Sequence, residues 1–357
     1  MDGAIFNRDM LLLARERRGY TQSYVAGELH VAPSLISKFE SGVVTPTAQN
    51  IDRLADILRC PVAFFFQTDA VYGLGCSFLF HRQRKTMSVP EQRRLIATLN
   101  VLRMQIARLL RGTELESENS FNPMDVGQFD KDGPERIARL VRAAWKLPPG
   151  PVSSVVGAIE SAGGIVIRYP FKNHKASGMS WWLPELPPLI FVNSDMPGDH
   201  QRFTLMHEVG HVIMHRIPSE QIEDEANSFA SEFLTPSAEI KADLNNLTFE
   251  RAASLKPYWK VAMQMLIMRA KNLGCIKLDR YRRLFTELSA AGYRRAEPLP
   301  IAPEEPTLLR QLVEFHMDEH GYTIEQLANM ALMRDQSEFC NQFVPDPSRQ
   351  IRAAMWL

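Results

Sequence analysis

The sequence predicts a mainly α-helical chain with a small β-sheet, an α+β protein of more than one domain. Three observations predict it. Apolar residues recur at three- and four-residue spacing over most of the chain, and only the runs 164–169 and 189–193 have a β-type composition. The 357 residues exceed what one compact domain usually holds.

Apolar residues make up 45% of the chain, enough to build full cores, and the formal net charge is zero. No whole-molecule field therefore points to nucleic acid or to a membrane, and a local patch must meet any such partner. Cys60, Cys76, Cys275 and Cys340 form no CxxC pair, which argues against a disulfide framework and a thiolate metal site. They read as small buried apolar residues of a reducing compartment. The N-terminus becomes charged after three consecutive leucines, and no run approaches the ~20 apolar residues that span a bilayer. A soluble cytoplasmic protein without membrane contact is expected.

Four or five short helices are expected over residues 8–67, punctuated by Gly19, the segment 30–33 and the segment 42–46. A long helix follows at about 89–111, where Leu95, Leu99, Leu102, Ile106 and Leu109 fall on one stripe. This helix and its lead-in carry Arg82, Arg84, Lys85, Arg93, Arg94, Arg103, Arg108 and Arg111 against the single acid Glu91. A solvated face around a packed stripe is one reading, and auxiliary contact with nucleic-acid phosphate is the other. Residues 112–133 look like a linker. Helices are expected at 134–146 and 152–162, and again from 202 to the end, with breaks at Pro218, Pro236, Pro257, Gly274 and the PLPIAPEEP segment at 298–306. The expected domains are 1–67, a basic helical connector and linker at 68–130, a third domain at 131–295, and a small helical C-terminal unit at 296–357.

In RFTLMHEVGHVIMHR, residues 202–216, His207 and His211 stand one helical turn apart, with Glu208 beside them. Both imidazoles can converge on one metal ion. A zinc ion with three protein ligands keeps a position for water, and a neighbouring glutamate can take that water's proton and later protonate a leaving amine. His215 lies about 12 Å up the helix axis from His207, so it cannot close a tetrahedral site with the other two histidines. The third ligand must come from elsewhere. In the next helix Ile222, Ala226, Phe229 and Phe233 form an apolar stripe. Glu223 and Asn227 flank the stripe on one side, as ligand and as an amide orienting a ligand; Glu225 flanks the other side as the rival, and Asp224 points away.

The strings QRFTLMHEVGHVIMHR and IEDEANSFASEFLTP resemble the ImmA/IrrE family of bacterial metallopeptidases, whose pattern is roughly RFTLAHELGHxxxH followed by ExEAxxFAAxxLMP. The resemblance implies a zincin-like peptidase domain with one zinc ion per chain, held by His207, His211 and Glu223, with Glu208 as catalytic base and Asn227 as a polar residue behind the ligands. Met206 and Thr235 stand where the family has alanine and methionine. LKPYWKVAMQMLIMRAKNLGCI resembles the helical segment that follows, with Ala262 for the usual serine, so the likeness spans roughly residues 135–290.

At the other end, YTQSYVAGELHVAPSLISKFESG has Thr21 placed to cap a helix, a short turn at His30 and Val31, and a second helix from Pro33 to Glu40 stopped at Gly42. Val25, Ala26, Leu29, Val31, Ile36, Phe39 and Leu54 would form its core. The string resembles an Xre/Cro-type helix-turn-helix repressor domain. That resemblance implies that Pro33, Ser34, Ser37 and Lys38 face base edges of a double-stranded operator and Gln22 a phosphate. Residues 1–67 hold seven basic and seven acidic residues, so phosphate affinity must come from the basic helix or from a homodimer on paired half-sites.

Two functions are expected. In one, a DNA-binding regulator carries a working zinc endopeptidase that cleaves a regulatory protein or itself under stress; in the other, an antitoxin-like regulator uses the zinc domain only as sensor or scaffold. The LIFVN strand at 189–193 is expected to pair with an extended substrate, with Trp181 and Trp182 lining the same cleft.

Overall fold

In the computed structural model the described residues are 5–73, 87–113, 117–129, 132–171, 176–183, 186–216, 219–294 and 296–344. Cys76, Arg82, Arg84, Lys85 and Pro218, singled out above, lie outside them. The chain divides into two compact units, one of Met1–Leu74, Thr86–Glu114 and Thr307–Leu357, the other of Gly75–Lys85 and Leu115–Pro306.

The first unit opens with α1 (Arg8–Arg18), which ends on Gly19 at φ 71°, a left-handed turn that glycine makes without a Cβ penalty. In α2 (Gln22–Leu29) the Thr21 side chain accepts from the Tyr24 N–H. His30 then turns the chain at φ 59°, and α3 (Pro33–Ser41) starts on proline and stops at Gly42. α4 (Ala48–Leu58) is capped by Thr47. Val25, Ala26, Leu29, Ile36, Phe39 and Leu54 are buried together, with Val31 packed against them.

The long helix α5 (Val89–Leu109) is closed at its start by a capping box between Ser88 and Glu91. Its five-residue stripe is buried, and so are Asn100, Arg103, Gln105 and Arg108. The segment 67–72 runs along this polar side. Arg108 pairs with Asp69 at 2.6 Å and donates to Gln67, Arg103 donates to the Ala70 carbonyl, and the Asn100 amide bonds both backbone groups of Tyr72. Arg103 and Arg108 are therefore internal clamps, because a buried guanidinium committed to acceptors of its own unit is not available to phosphate; Arg93, Arg94 and Arg111 are exposed.

The chain returns to this unit in α14 (Leu308–His320), α15 (Ile324–Met330) and α16 (Gln336–Phe343). His316 Nε2 donates to the Leu109 carbonyl at 2.6 Å, Gln342 to Gln105, Arg17 to Glu338, and Arg334 pairs with Asp56. Residues of 308–343 thus pack with the N-terminal helices and α5.

The second unit contains α6 (Gly133–Ala144), α7 (Val155–Ser161), and strands β1 (Ile165–Tyr169), β2 (Gly178–Trp181) and β3 (Leu189–Asn193). The sheet order is β1-β3-β2, with β1 parallel and β2 antiparallel to β3. β3 is the central strand, fully buried and hydrogen-bonded on both sides, so it has no edge to offer a substrate. Among the described residues β1 and β2 are the two edge strands, and β2 was not expected from sequence. Helices α8 (Gly198–Met214) and α9 (Ile222–Leu234) cover the core, followed by α10 (Ser237–Leu244), α11 (Phe249–Trp259), α12 (Met263–Asn272) and α13 (Leu278–Ala290). Pro257 falls inside the last turn of α11 and does not break it.

The segment 296–306 is a strap over this unit. Glu297 accepts from the Met263 N–H at the start of α12 and pairs with Lys256, which also holds Asp199 of α8. Glu304 accepts from Ser154 and the Val156 N–H at the start of α7 and pairs with Arg202, which is 1% exposed. Where the strap crosses α8, a Cβ on Gly198 would stand 2.5 Å from the carbonyl oxygens of Ile301 and Ala302.

Candidate functional site

Helix α8 has buried residues on every face, so its histidines sit inside the unit rather than on a wet surface. His207 is 6% and His211 3% exposed, and Glu208 is fully buried. The two Nε2 atoms lie 3.0 Å apart. Glu223, in the first turn of α9, brings its carboxylate oxygens within 3.3 Å of His211 Nε2 and 3.7 Å of His207 Nε2. These three side chains are the set of histidine and acidic groups, among the described residues, that can surround one ion.

The outer partners of the imidazoles fix what those nitrogens are. His207 Nδ1 lies 3.1 Å from the Asn227 amide oxygen, an acceptor, so Nδ1 carries the proton and Nε2 a lone pair. On the other ring, His211 Nδ1 meets His215 Nδ1 at 2.9 Å, and His215 Nε2 lies 2.9 Å from Glu225 Oε2. With the carboxylate as final acceptor, each ring donates outward, and His211 Nε2 is also left with its lone pair. Two lone pairs and a carboxylate face one point. They repel unless a cation lies between them, and edges of 3.0–3.7 Å bracket the ~3.3 Å expected between ligands of a tetrahedral ion at about 2.0–2.1 Å. The residues fit a resident metal.

His215 and Glu225, set aside as ligands on sequence grounds, form the outer pair behind His211. Burial pushes His215 down to about 3, so its ring is neutral, and burial raises the Glu225 carboxyl. Ser180 of β2 donates to the Glu208 Oε2 at 2.8 Å. Ser180 was not legible in sequence, because only the pairing of β2 with β3 brings it to α8. Gly178 permits the approach; a Cβ there would meet Thr204 Cγ2 at 2.5 Å and the Phe191 carbonyl at 2.9 Å. Gly210 does the same between α8 and α9, where a Cβ would lie 3.2 Å from Phe229.

Family comparisons agree with this geometry. Residues 160–271 match the IrrE N-terminal-like domain, and residues 11–65 match the helix-turn-helix family. The chain thus carries a segment similar to the helix-turn-helix family ahead of one similar to the IrrE N-terminal-like family. No curated protein matches it. The IrrE-like match contains β1 to β3 and all of His207, Glu208, His211 and Glu223. Trp181 is 4% exposed and packs edge-on against Phe191 in its core, while Trp182, 41% exposed, packs against Phe121.

In the helix-turn-helix domain, Pro33, Ser34, Ser37 and Lys38 lie exposed on α3. Gln22 is engaged differently from the expectation: its amide donates to Glu40 at 2.8 Å, and Arg15 holds the same carboxylate. Gln22 ties α2 to α3 and leaves the open face of α3 with one cation, Lys38. No helix among the described residues is long and apolar enough to cross a membrane.

Proposed function

We propose that this protein is a transcriptional regulator whose second unit is a zinc endopeptidase, and that cleavage of a regulatory protein or of itself under stress changes its hold on DNA. The observation that carries the reading is the cluster of two buried lone-pair nitrogens and a half-buried carboxylate, with Glu208 beside it in α8. A structural metal site has no use for Glu208. His207, His211 and Glu223 would hold a zinc ion, whose Lewis acidity would polarise a peptide carbonyl and acidify water.

The chain's own groups do the rest. Glu208 takes the proton of the attacking water on its carboxylate and delivers it to the leaving amine nitrogen. Ser180 Oγ, donating to Oε2, keeps that carboxylate turned in one direction. Asn227, and His215 with Glu225, hold the two ligand rings by their outer nitrogens, which fixes the tautomers the site needs. An extended peptide pairing with the edge of β2 would lie beside Ser180 and Glu208, which makes β2 the substrate strand in place of β3. Pro33, Ser34, Ser37 and Lys38 read base edges of a double-stranded operator, and a homodimer doubles the few phosphate contacts.

The test compares wild type with Glu208→Gln in a reporter of the protein's own promoter, across several stresses, while chain length is followed by blot. Derepression by wild type alone, with a fragment of the protein or of a partner, is the expected result. Equal derepression by both would overturn the protease switch and leave the zinc domain as sensor or scaffold.

A further inference from the structure

Behind the ligand set lies a cavity of about 560 Å³ that the proposed reaction does not use. Its floor is the C-terminal end of α8, and its wall includes His215 and Glu225. This is the far side of His211, because Nε2 of that ring faces the metal position and Nδ1 faces His215. A molecule in the cavity touches the outer hydrogen-bond pair without entering the reaction cleft.

The lining is chemically specific. Met124, Ile213 and Met214 supply an apolar surface, Asp125 and Glu225 two carboxylates, and Arg216 a guanidinium. Among the described residues Arg216 pairs with no carboxylate and Asp125 with no cation; Asp125 only accepts from the Gly127 N–H within its own turn. Charges of both signs, uncompensated by each other, therefore face one space beside apolar side chains. That combination complements a zwitterion carrying an apolar side chain. The volume lies within the ~300–1,000 Å³ typical of small-molecule sites.

We propose that this cavity binds a free apolar amino acid or dipeptide, and that its occupancy changes the metal affinity through His215. The ammonium group meets the carboxylates, the carboxylate meets Arg216, and the side chain covers the methionines. The coupling rests on the metal reading above, whereas the binding does not. By linkage, ligand and zinc must alter each other's affinity by the same factor.

The experiment is calorimetry on metal-free full-length protein with L-leucine and leucyl-leucine, beside N-acetyl-leucinamide, which keeps the side chain but lacks both charges. Saturable binding of a zwitterion at about 1 mM or tighter, weakened about tenfold by Arg216→Gln or Asp125→Asn and absent for the amide, supports the proposal. Equal binding of the amide would mean that the pocket takes a segment of polypeptide and overturns the zwitterion; no binding of any probe overturns the site. A chelating-dye titration of zinc, with and without leucine, follows. A shift of about fivefold or more supports the coupling, and an unchanged value overturns it. Failure to bind zinc at all sinks the metal reading while leaving the calorimetric result standing.

Discussion

Glu208 and His215 are both buried beside the metal position, yet they should fail differently when replaced. Glu208→Gln removes a proton acceptor and leaves the three ligands, so zinc affinity measured against a chelating dye should stay within about threefold while hydrolysis falls by roughly 10²–10⁴. His215→Ala removes the acceptor that fixes the His211 tautomer, so zinc affinity should drop about 10–100-fold before any assay of turnover. If the two variants lose zinc equally, Glu208 is a ligand and the assignment of Glu223 is in question. A third residue speaks to the thiols. Burial pushes Cys60 up to about 12, so in the folded protein at pH 8 it remains a protonated thiol. Among the described cysteines, partly buried Cys275 and Cys340 should react with iodoacetamide first, and Cys60 only once its unit unfolds, as peptide mapping would show.

Among the elements, β2 shows where the sequence was readable and where it was not. The first helices announced themselves, since Thr21, Gly19 and Gly42 are local signals that need no tertiary knowledge. β1 and β3 were legible as apolar β-type runs. β2, four residues of GMSW, carries no period of its own and is a strand only because β3 pairs with it, so Ser180 could not be placed against Glu208 beforehand. The cluster that could hold a metal was readable because helical spacing fixes His207 and His211, while Glu223 needed the resemblance to separate it from Glu225. The polar side of α5 was misread for a related reason: charge composition does not reveal that Asp69 and Tyr72 fold back onto it. The tight contact at Gly178 gives this scale its test. Gly178→Ala should destabilise the second unit by about 1–3 kcal/mol, seen as a lower melting temperature, and should weaken zinc binding because the clash falls on Thr204 of the ligand helix. An unchanged melting temperature would mean that β2 can move away without cost, and the Ser180 contact with it.

For the molecule as a whole, the chain is not a string of domains in sequence order. Three separated stretches make the first unit, and the last of them supplies Glu338 to α1 and His316 and Gln342 to α5. Deleting residues 307–357 should therefore uncover α5 and lower the stability of the helix-turn-helix unit, measured by urea unfolding, while the second unit still takes up zinc. Retained stability of the first unit would show that the returning helices are dispensable. The same return bears on what a broken peptide bond can accomplish. A nick in any surface loop between residues 115 and 306 yields two polypeptides, one carrying α1 to α5 and the other α14 to α16, and those helices belong to a single folded body. Such a molecule should run as two bands in detergent and as one particle on a sizing column. Scission is then a different event from release, and a self-cleaved regulator would keep its pieces together until something pulls the returning helices away.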